Sequence, residues 1–335
     1  MTIHQDSNYT LAHKLKLQNK TRRFRIPVCL FCDFDDTYIM KYWPSEQILE
    51  THTQKFTDTI LFPDASRYNP TIDLKTYLDN HHIPLIIVSG RDIHQMKEIM
   101  NKFRDSIPDH PEIMSFDGIV GAVGTEIYLR TQTNDYVQDK QYYTLLQQTD
   151  FKRDNIHVIL SRIIPQIKKD VGITYLDFSK RDRSNLGGEL PKQPYKLSLE
   201  FKTSNENAKR VYDYIRNQLN ENGITTIKLL MSSPYRIDDV THKFNMDIVP
   251  LSKEKPILYL KKKWHFASIV AGDSGNDFDM LVKAADHAIL VGNAKNELRD
   301  SIESLPKNKK EHIYFASSND SGPKAVLSFF SHMLS

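Results

Sequence analysis

The sequence of 335 residues predicts an α/β protein with a doubly wound, mainly parallel sheet and an inserted α+β domain. Short, unbroken apolar segments recur towards both ends of the chain and alternate with helical segments. This pattern is typical of parallel strands that are covered on both faces. In a central block, apolar and polar residues alternate instead, which is typical of an antiparallel sheet with one solvated face.

Five apolar segments are the predicted strands of the parallel sheet. They are VCLFC (28–32), PLIIV (84–88), GIVGAV (118–123), ASIVA (267–271) and AILV (288–291). Apolar residues at helical spacing in DIHQMKEIMNKF (92–103) predict a helix after the second segment. The glycines of the third segment lie inside it, so we interpret them as sites of close strand packing and not as a nucleotide-binding loop.

The central block predicts a separate domain inserted into the α/β domain. YKLSLEF (195–201) alternates strictly, and it lies among the strands TYLDF (174–178) and TTIKLLM (225–231) and helical stretches at 155–169 and 205–221. Gly and Pro in the polar stretch 181–194 predict a loop. The predicted organisation is a basic N-terminal tail or arm over 1–26, a catalytic core over 27–126 and 246–335, and an inserted α+β cap over 127–245.

Charge and hydropathy argue against several classes of protein. The formal net charge of +3 gives no global indication of binding to nucleic acid or to a membrane surface. The apolar segments are far shorter than the roughly 20 residues that span a bilayer. The N-terminus lacks the apolar core of a signal peptide, which favours a cytoplasmic location. We therefore expect no nucleic-acid partner and no membrane partner.

Cys29 and Cys32 form a C-x-x-C pair inside the first apolar segment. Residues three apart on a strand point to opposite faces, so neither a disulfide nor a shared metal is geometrically easy. We interpret both as small core residues.

Acidic and hydroxyl side chains follow the predicted parallel strands at the points where the strands end. Asp33 and Asp35 follow the first, Ser89 the second, and Asp273 and Asp277 the fourth. Ligands of such sheets bind beyond the carboxyl ends of the strands. Four carboxylates at one edge repel each other unless a cation lies among them. Oxygen donors without histidine or cysteine favour a hard cation, and the sequence predicts Mg²⁺.

These segments resemble the motifs of the haloacid dehalogenase (HAD) superfamily. Asp33-Phe34-Asp35-Asp36-Thr37 resembles its D-x-D-x-T motif, Ser89 its second motif, Lys255 its third and GDSGND (272–277) its fourth. Together with VGTEIY (123–128) and MDIVP (246–250), they are most similar to the branch that contains sucrose-6-phosphate phosphatase and kanosamine-6-phosphate phosphatase. The resemblance implies a HAD-like Rossmannoid core with a C2-type cap.

The expected chemistry is phosphoryl transfer, which requires mainly positioning and charge neutralisation. Asp33 is the expected nucleophile, and Asp35 the expected general acid and base. Mg²⁺ would be held by Asp33, Asp273 and the backbone carbonyl of Asp35, while Asp277 either ligates the metal or orients a ligand. Ser89 and Lys255 would bind phosphoryl oxygens.

The expected partner is a small sugar phosphate, similar to sucrose-6-phosphate or to an aminosugar-6-phosphate, bound by a monomer or weak homodimer. A phosphotransferase or phosphomutase acting on sugar phosphates, and a non-catalytic sugar-phosphate-binding regulator, are the alternatives. Lys196 lies on the polar face of its strand, where it contacts either substrate or solvent. The residues expected to bind substrate are Thr37, Gly90, Arg91, Gly124, Thr125, Glu126, Lys196 and Asn276.

Overall fold

The computed structural model describes residues 8–21, 25–40, 68–179, 182, 193–232, 235–238 and 240–334. The helices are α1 (Thr10–Thr21), α2 (Asn69–Asn80), α3 (Ile93–Ser106), α4 (Lys140–Gln147), α5 (Arg153–Val171), α6 (Asn205–Glu221), α7 (Glu254–Trp264), α8 (Asn296–Glu303), α9 (Lys307–Lys310) and α10 (Pro323–Leu334). The strands are β1 (Val28–Asp33), β2 (Leu85–Val88), β3 (Gly118–Gly121), β4 (Glu126–Arg130), β5 (Tyr136–Gln138), β6 (Tyr175–Phe178), β7 (Leu197–Thr203), β8 (Lys228–Met231), β9 (Tyr235–Arg236), β10 (His242–Val249), β11 (Ala267–Gly272), β12 (His287–Leu290) and β13 (Ile313–Phe315).

The larger sheet has the strand order β13-β12-β11-β1-β2-β3-β4-β5. Its strands from β13 to β3 are parallel neighbours, and β4 and β5 continue it in antiparallel pairing. All residues of β1 and β2 are buried, as expected for strands covered on both faces. The predicted fold class is confirmed. The carboxyl ends of β11, β1 and β2 consequently lie side by side.

The smaller sheet is antiparallel, with the order β6-β7-β10-β8 and β9 paired to β10. Leu197, Leu199 and Phe201 on β7 are buried, whereas the residues between them are half-buried, as the alternation predicts. Helices α5 and α6 cover the apolar face and share with it a hydrophobic cluster separate from that of the larger sheet. We call this unit the cap and the unit around the larger sheet the core domain.

The cap is shorter than the predicted insert of 127–245. Strands β4 and β5 belong to the larger sheet, and Tyr142 and Leu146 of α4 lie in its hydrophobic cluster. On β4, Ile127 and Leu129 are buried and their neighbours half-buried. Buried and half-buried residues therefore alternate also at the antiparallel edge of the core domain. Because this alternation resembles that of the cap strands, the first boundary of the cap was predicted too early in the chain. The second boundary is wrong as well, because β10 continues in the cap sheet to Val249.

The predicted N-terminal tail contains a helix packed against the core domain. Leu11 and Leu15 of α1 are buried in the main hydrophobic cluster. The Gln18 side chain bonds the backbone N–H and carbonyl of Val28, both at 2.8 Å. Lys14 pairs with Asp79 and Asp117. The interpretation of this segment as a solvated tail is thus wrong for α1; of its basic cluster, Arg25 is exposed and residues 22 and 23 lie outside the described ranges.

Cys29 and Cys32 are both free and fully buried on β1. Burial raises the pKa of each thiol. Both are core residues, as predicted.

Most of the predicted loop over 181–194 lies outside the described residues. Among the helices that the structure describes, none has the length and apolar character needed to cross a bilayer.

Candidate active site

Three carboxylates form a buried cluster where β1 and β11 end. Asp33 is the last residue of β1, Asp273 follows β11 directly, and Asp277 lies on the single helical turn after it. Because β1 and β11 are paired neighbours, their ends bring these side chains together. One oxygen of each carboxylate lies within 4.8 Å of the others.

Burial raises the pKa of Asp33, and the nearby Asp277 carboxylate raises it further, against the opposing effect of the Lys253 ammonium. Burial also raises the pKa of Asp273, together with repulsion from Asp33 and Asp277. Three carboxylates this close are favourable as anions only with positive charge beside them. The cluster therefore fits a cation that takes oxygen ligands.

The lysine at this cluster is Lys253, and the prediction of Lys255 is wrong. Lys253 is 1% exposed, and its Nζ lies 2.6 Å from an oxygen of Asp33 and 2.6 Å from one of Asp277. It also donates to Asn276 Oδ1 at 3.0 Å. Lys255 is exposed on α7. Burial lowers the pKa of Lys253, but the Asp277 and Asp33 carboxylates raise it more, so the ammonium is charged.

Helical periodicity explains why Lys253 and not Lys255 faces the site. Lys253 caps α7, and Pro256, Ile257 and Leu260 are its buried residues that follow at spacings of three and four. A residue two positions further along a helix lies about 200° around the axis, so Lys255 points to the opposite side. The buried face of the helix was a signal in the sequence that could have identified Lys253.

Hydrogen bonds from neighbouring backbone and side-chain groups hold the carboxylates of the cluster in position. The second oxygen of Asp277 accepts from the backbone N–H groups of Asp273 and Ser274, both at 3.1 Å. Thr37, which is fully buried, donates to Asp273 Oδ1 at 3.1 Å. Thr37 therefore supports a carboxylate, and the prediction that it contacts substrate is not supported. Asn276 accepts from Lys253 and from the Ser274 hydroxyl.

The segment after β2 brings Ser89 and Arg91 to the same edge. Ser89 is 1% exposed, and its Oγ accepts from the backbone N–H of Arg91 at 3.1 Å. The Arg91 guanidinium binds both oxygens of Asp35, at 3.2 and 3.3 Å. Among the described residues, Asp35 is not part of the three-carboxylate cluster. Its side chain is instead directed to Arg91.

The turn between β3 and β4 packs beneath the loop that carries Lys253. Ala122, Val123 and Gly124 all have positive φ, and the value for Gly124 is 99°. A Cβ on Gly124 would lie 2.9 Å from the carbonyl oxygen of Ser252. The Thr125 hydroxyl is buried and donates to the Ala122 carbonyl at 3.0 Å. Gly124 and Thr125 thus shape this turn, and the contacts of Gly124 do not support the prediction that it binds substrate.

Gly124→Ala is expected to destabilise the protein by about 1–3 kcal/mol and to lower kcat, because the added methyl group displaces the Ser252–Lys253 loop. Gly172→Ala is the matched control, since Gly172 also has a positive φ of 74° but no atom within 4 Å of the added carbon. Chemical denaturation and steady-state kinetics measure both effects. Equal kcat values for the two variants would show that the turn does not position Lys253.

A cavity of about 210 Å³ lies between the core domain and the cap. Asp92, Thr125 and Glu126 line it from the core domain, and Gln193 and Tyr195 line it from the cap. Burial raises the pKa of Glu126, whose carboxylate accepts from the backbone N–H of Ile93 at 3.2 Å. The cavity is thus bounded by hydrogen-bonding and aromatic groups.

Lys196 of the cap is buried against the core domain. It is 8% exposed, and its Nζ donates to the Gly90 carbonyl at 3.0 Å and pairs with Asp247 at 3.1 Å. The solvated alternative for Lys196 is therefore wrong. Its ammonium contacts the segment that carries Ser89 and Arg91.

Sequence comparison identifies a matching family. The family described as sucrose-6F-phosphate phosphohydrolase matches residues 56–170 and 185–327. The probable sucrose-phosphatase 1 of Arabidopsis thaliana is 25% identical over 238 residues, which are 69% of this chain and 46% of that protein. The chain thus spans about half the length of this curated relative. The family match begins after Asp33, so the assignment of that residue depends on the geometry above.

Structure comparison identifies a matching fold. The haloacid dehalogenase-like hydrolase yhjK of Bacillus subtilis superposes with a TM-score of 0.51 at 17% identity, covering 95% of this chain and 98% of that one. A protein of Streptococcus mutans UA159 also gives a TM-score of 0.51 at 17% identity, covering 92% and 99%. At these identities the likeness shows a shared fold.

Proposed function

Because the chain belongs to the sucrose-6F-phosphate phosphohydrolase family, we propose that it hydrolyses a small sugar phosphate through an aspartyl-phosphate intermediate. The observation that carries this proposal is the buried cluster of Asp33, Asp273 and Asp277 with Lys253 bound between two of its members. A dianionic phosphoryl group requires positive charge and an in-line nucleophile, and this cluster supplies both at one sheet edge.

In the first step, a carboxylate oxygen of Asp33 attacks phosphorus as the bond from phosphorus to the sugar oxygen breaks. Lys253 holds Asp33 through one oxygen, at 2.6 Å, and leaves the other for attack. Lys253 and Ser89 stabilise the negative charge on the transferring oxygens. The product of this step is phosphorylated Asp33 and the released sugar.

Asp35 is the proposed general acid and base. It donates its proton to the leaving sugar oxygen and then takes one from the water that attacks the aspartyl-phosphate. The second attack breaks the bond between phosphorus and the Asp33 oxygen, which restores the carboxylate and releases inorganic phosphate. Asp35 is half-buried, with 26% of its side chain exposed, so a leaving group and a water molecule have access to it.

Asp33 and Asp273 are the residues proposed to hold a divalent cation, and oxygen donors of this kind favour Mg²⁺. Both oxygens of Asp277 already accept hydrogen bonds, so we assign Asp277 to orienting Lys253 and the Asp273 loop. When bound, the cation neutralises the charge of the carboxylates and the phosphoryl group.

Removal of divalent cations is expected to abolish turnover, and Mg²⁺ is expected to restore it. Ca²⁺ should inhibit, because it prefers six to eight oxygen ligands at longer distances and distorts in-line geometry. The measurement is the initial rate after chelation and after addition of each cation. Full activity in excess chelator would contradict a metal-dependent site.

The proposed activity is tested by release of inorganic phosphate from a panel of hexose phosphates, aminosugar phosphates and disaccharide phosphates. We expect release from at least one member at a rate that saturates with substrate concentration. Transfer of the phosphoryl group to an added sugar, without release of phosphate, would contradict hydrolysis and identify a phosphotransferase. Saturable binding without either reaction would identify a sugar-phosphate-binding regulator.

A further inference from the structure

Asn293 lies in the loop after β12 and connects it to the loops that follow two other parallel strands. Its Nδ2 donates to the backbone carbonyl of Asp36, in the turn after β1, at 2.7 Å. Its Oδ1 accepts from the backbone N–H of Gly322, in the loop after β13, at 2.7 Å. A carbonyl can only accept a hydrogen bond and an N–H can only donate one, so these partners fix the orientation of the amide.

The turn after β1 has a backbone conformation that depends on such support. Asp36 has a φ of 61°, which is uncommon for a residue other than glycine and is kept where surrounding contacts enforce it. The peptide group that joins Asp36 to Thr37 is planar. A hydrogen bond to the Asp36 carbonyl therefore orients this whole peptide group and, with it, the backbone of Thr37.

The loop after β13 packs against the same turn. Gly322 has a φ of 52°, and a Cβ at this position would overlap Met40 Sδ and lie 3.3 Å from the carbonyl oxygen of Thr37. The Gly322 N–H that binds Asn293 is thus fixed next to the turn that Asn293 holds. Movement of the amide is limited at both of its ends.

The contacts of Asn293 continue to the carboxylate cluster through Thr37. Thr37 is fully buried, and its hydroxyl donates to Asp273 Oδ1 at 3.1 Å. The backbone N–H of Lys295, in the same loop as Asn293, donates to the backbone carbonyl of Asp273 at 2.8 Å. This loop therefore holds the main chain of Asp273 directly, and it reaches the Asp273 side chain through Asn293 and Thr37.

We propose that Asn293 positions the cation site: it fixes the peptide group between Asp36 and Thr37, and through Thr37 it orients the Asp273 carboxylate. Asn293 is a positioning residue, because its described contacts are with Asp36 and Gly322 and not with the three carboxylates. This role deepens the proposed function and rests on its assignment of Asp273 as a ligand of the divalent cation.

Asn293→Ala should raise the Kd for Mg²⁺ by about tenfold or more, because groups that orient a metal ligand contribute about 10–100-fold in affinity. Isothermal titration calorimetry with MgCl₂ measures this Kd without any turnover. Asn296→Ala is the matched control, since Asn296 lies close by at the start of α8 and is exposed. Its Kd should stay within about twofold of that of the wild type.

A purely structural role of Asn293 would give a different result. The melting temperature without Mg²⁺ would fall in Asn293→Ala, while the Kd of the folded protein would stay unchanged. The positioning role instead raises the Kd, and it raises the Mg²⁺ concentration for half-maximal phosphate release by the same factor. If Asn293→Ala does not fold, Asn293→Ser takes its place, because the shorter side chain cannot reach both Asp36 and Gly322.

A double-mutant cycle tests the connection through Thr37. Thr37→Val removes the hydroxyl and should also raise the Kd for Mg²⁺ by about tenfold. The Kd of Thr37→Val/Asn293→Ala should exceed that of the weaker-binding single variant by no more than about twofold, because residues that act as a unit are not additive. Multiplied losses, or an unchanged Kd in Asn293→Ala, would overturn the inference. A wild type that binds no Mg²⁺ and turns over in excess chelator would instead overturn the proposed cation site itself.

Discussion

Lys253→Met should lower kcat by about a thousandfold, which is the upper end of the loss for removing one donor that stabilises transition-state charge. Lys253 is the buried cation between Asp33 and Asp277, whereas Lys255, two residues later, is exposed. Lys255→Met should therefore retain kcat within about twofold of the wild type, as is usual for surface substitutions. Steady-state kinetics on both variants separates the two lysines directly.

Loss of folding is the alternative cause of inactivity in this variant. Removing one partner of a buried ion pair costs about 3–5 kcal/mol, because the remaining charges have no compensation. Lys253→Arg retains the charge but cannot place a single ammonium between two carboxylates. It should fold with near-native stability and still lose most of its activity. A fully active, folded Lys253 variant would contradict the assigned role.

Asp33→Asn should reduce turnover by several orders of magnitude, because an amide cannot form the covalent intermediate. Asp109→Asn, at an exposed carboxylate, is the control and should have wild-type activity. Retention of more than about a tenth of the wild-type rate would remove the nucleophile role, since loss of a covalent route is far more costly.

The same substitution has a predicted effect on stability. Burial raises the pKa of Asp33 in the folded state above that in the unfolded chain. The folded state therefore binds its proton more tightly, and stability falls as the pH rises from the unfolded pKa through the folded one. Asn carries no charge at any pH, so Asp33→Asn should be at least as stable as the wild type at neutral pH in chelator. A lower melting temperature under these conditions would contradict the electrostatic account of the cluster.

The sequence was sufficient to predict five of the six parallel strands that the structure describes, all except β13, and the residues directly at their ends. Asp33 is the last residue of one buried strand, and Ser89 and Asp273 directly follow two others, so the sheet topology alone places them at one edge. Lys253 is different, because it reaches the cluster from the start of a helix, and its direction depends on which helical face is buried. The order of the motifs indicated that the lysine lies near the start of α7, before β11, but it did not identify the correct residue.

Other features depend on contacts between segments that are distant in the chain. The role of Thr37 depends on Asp273, and that of Lys196 on Gly90, more than a hundred residues away. The boundary of the cap was misplaced because β4, at the antiparallel edge of the core domain, alternates between buried and half-buried residues as the cap strands do. Helix α1 was missed because its strongly basic surroundings obscured a short apolar face, of which Leu11 and Leu15 are the buried residues.

The most direct test of the nucleophile role of Asp33 is a single-turnover reaction of the sugar phosphate that gives the highest rate, quenched with acid at successive times and analysed by peptide mass spectrometry. If Asp33 is the nucleophile, the peptide that contains it gains the mass of one phosphoryl group, fragmentation places that group on Asp33, and the group is lost as inorganic phosphate appears. The Asp33→Asn variant should show neither. Phosphate release with the phosphoryl group on another residue, or from the Asp33→Asn variant at the wild-type rate, would contradict the central claim.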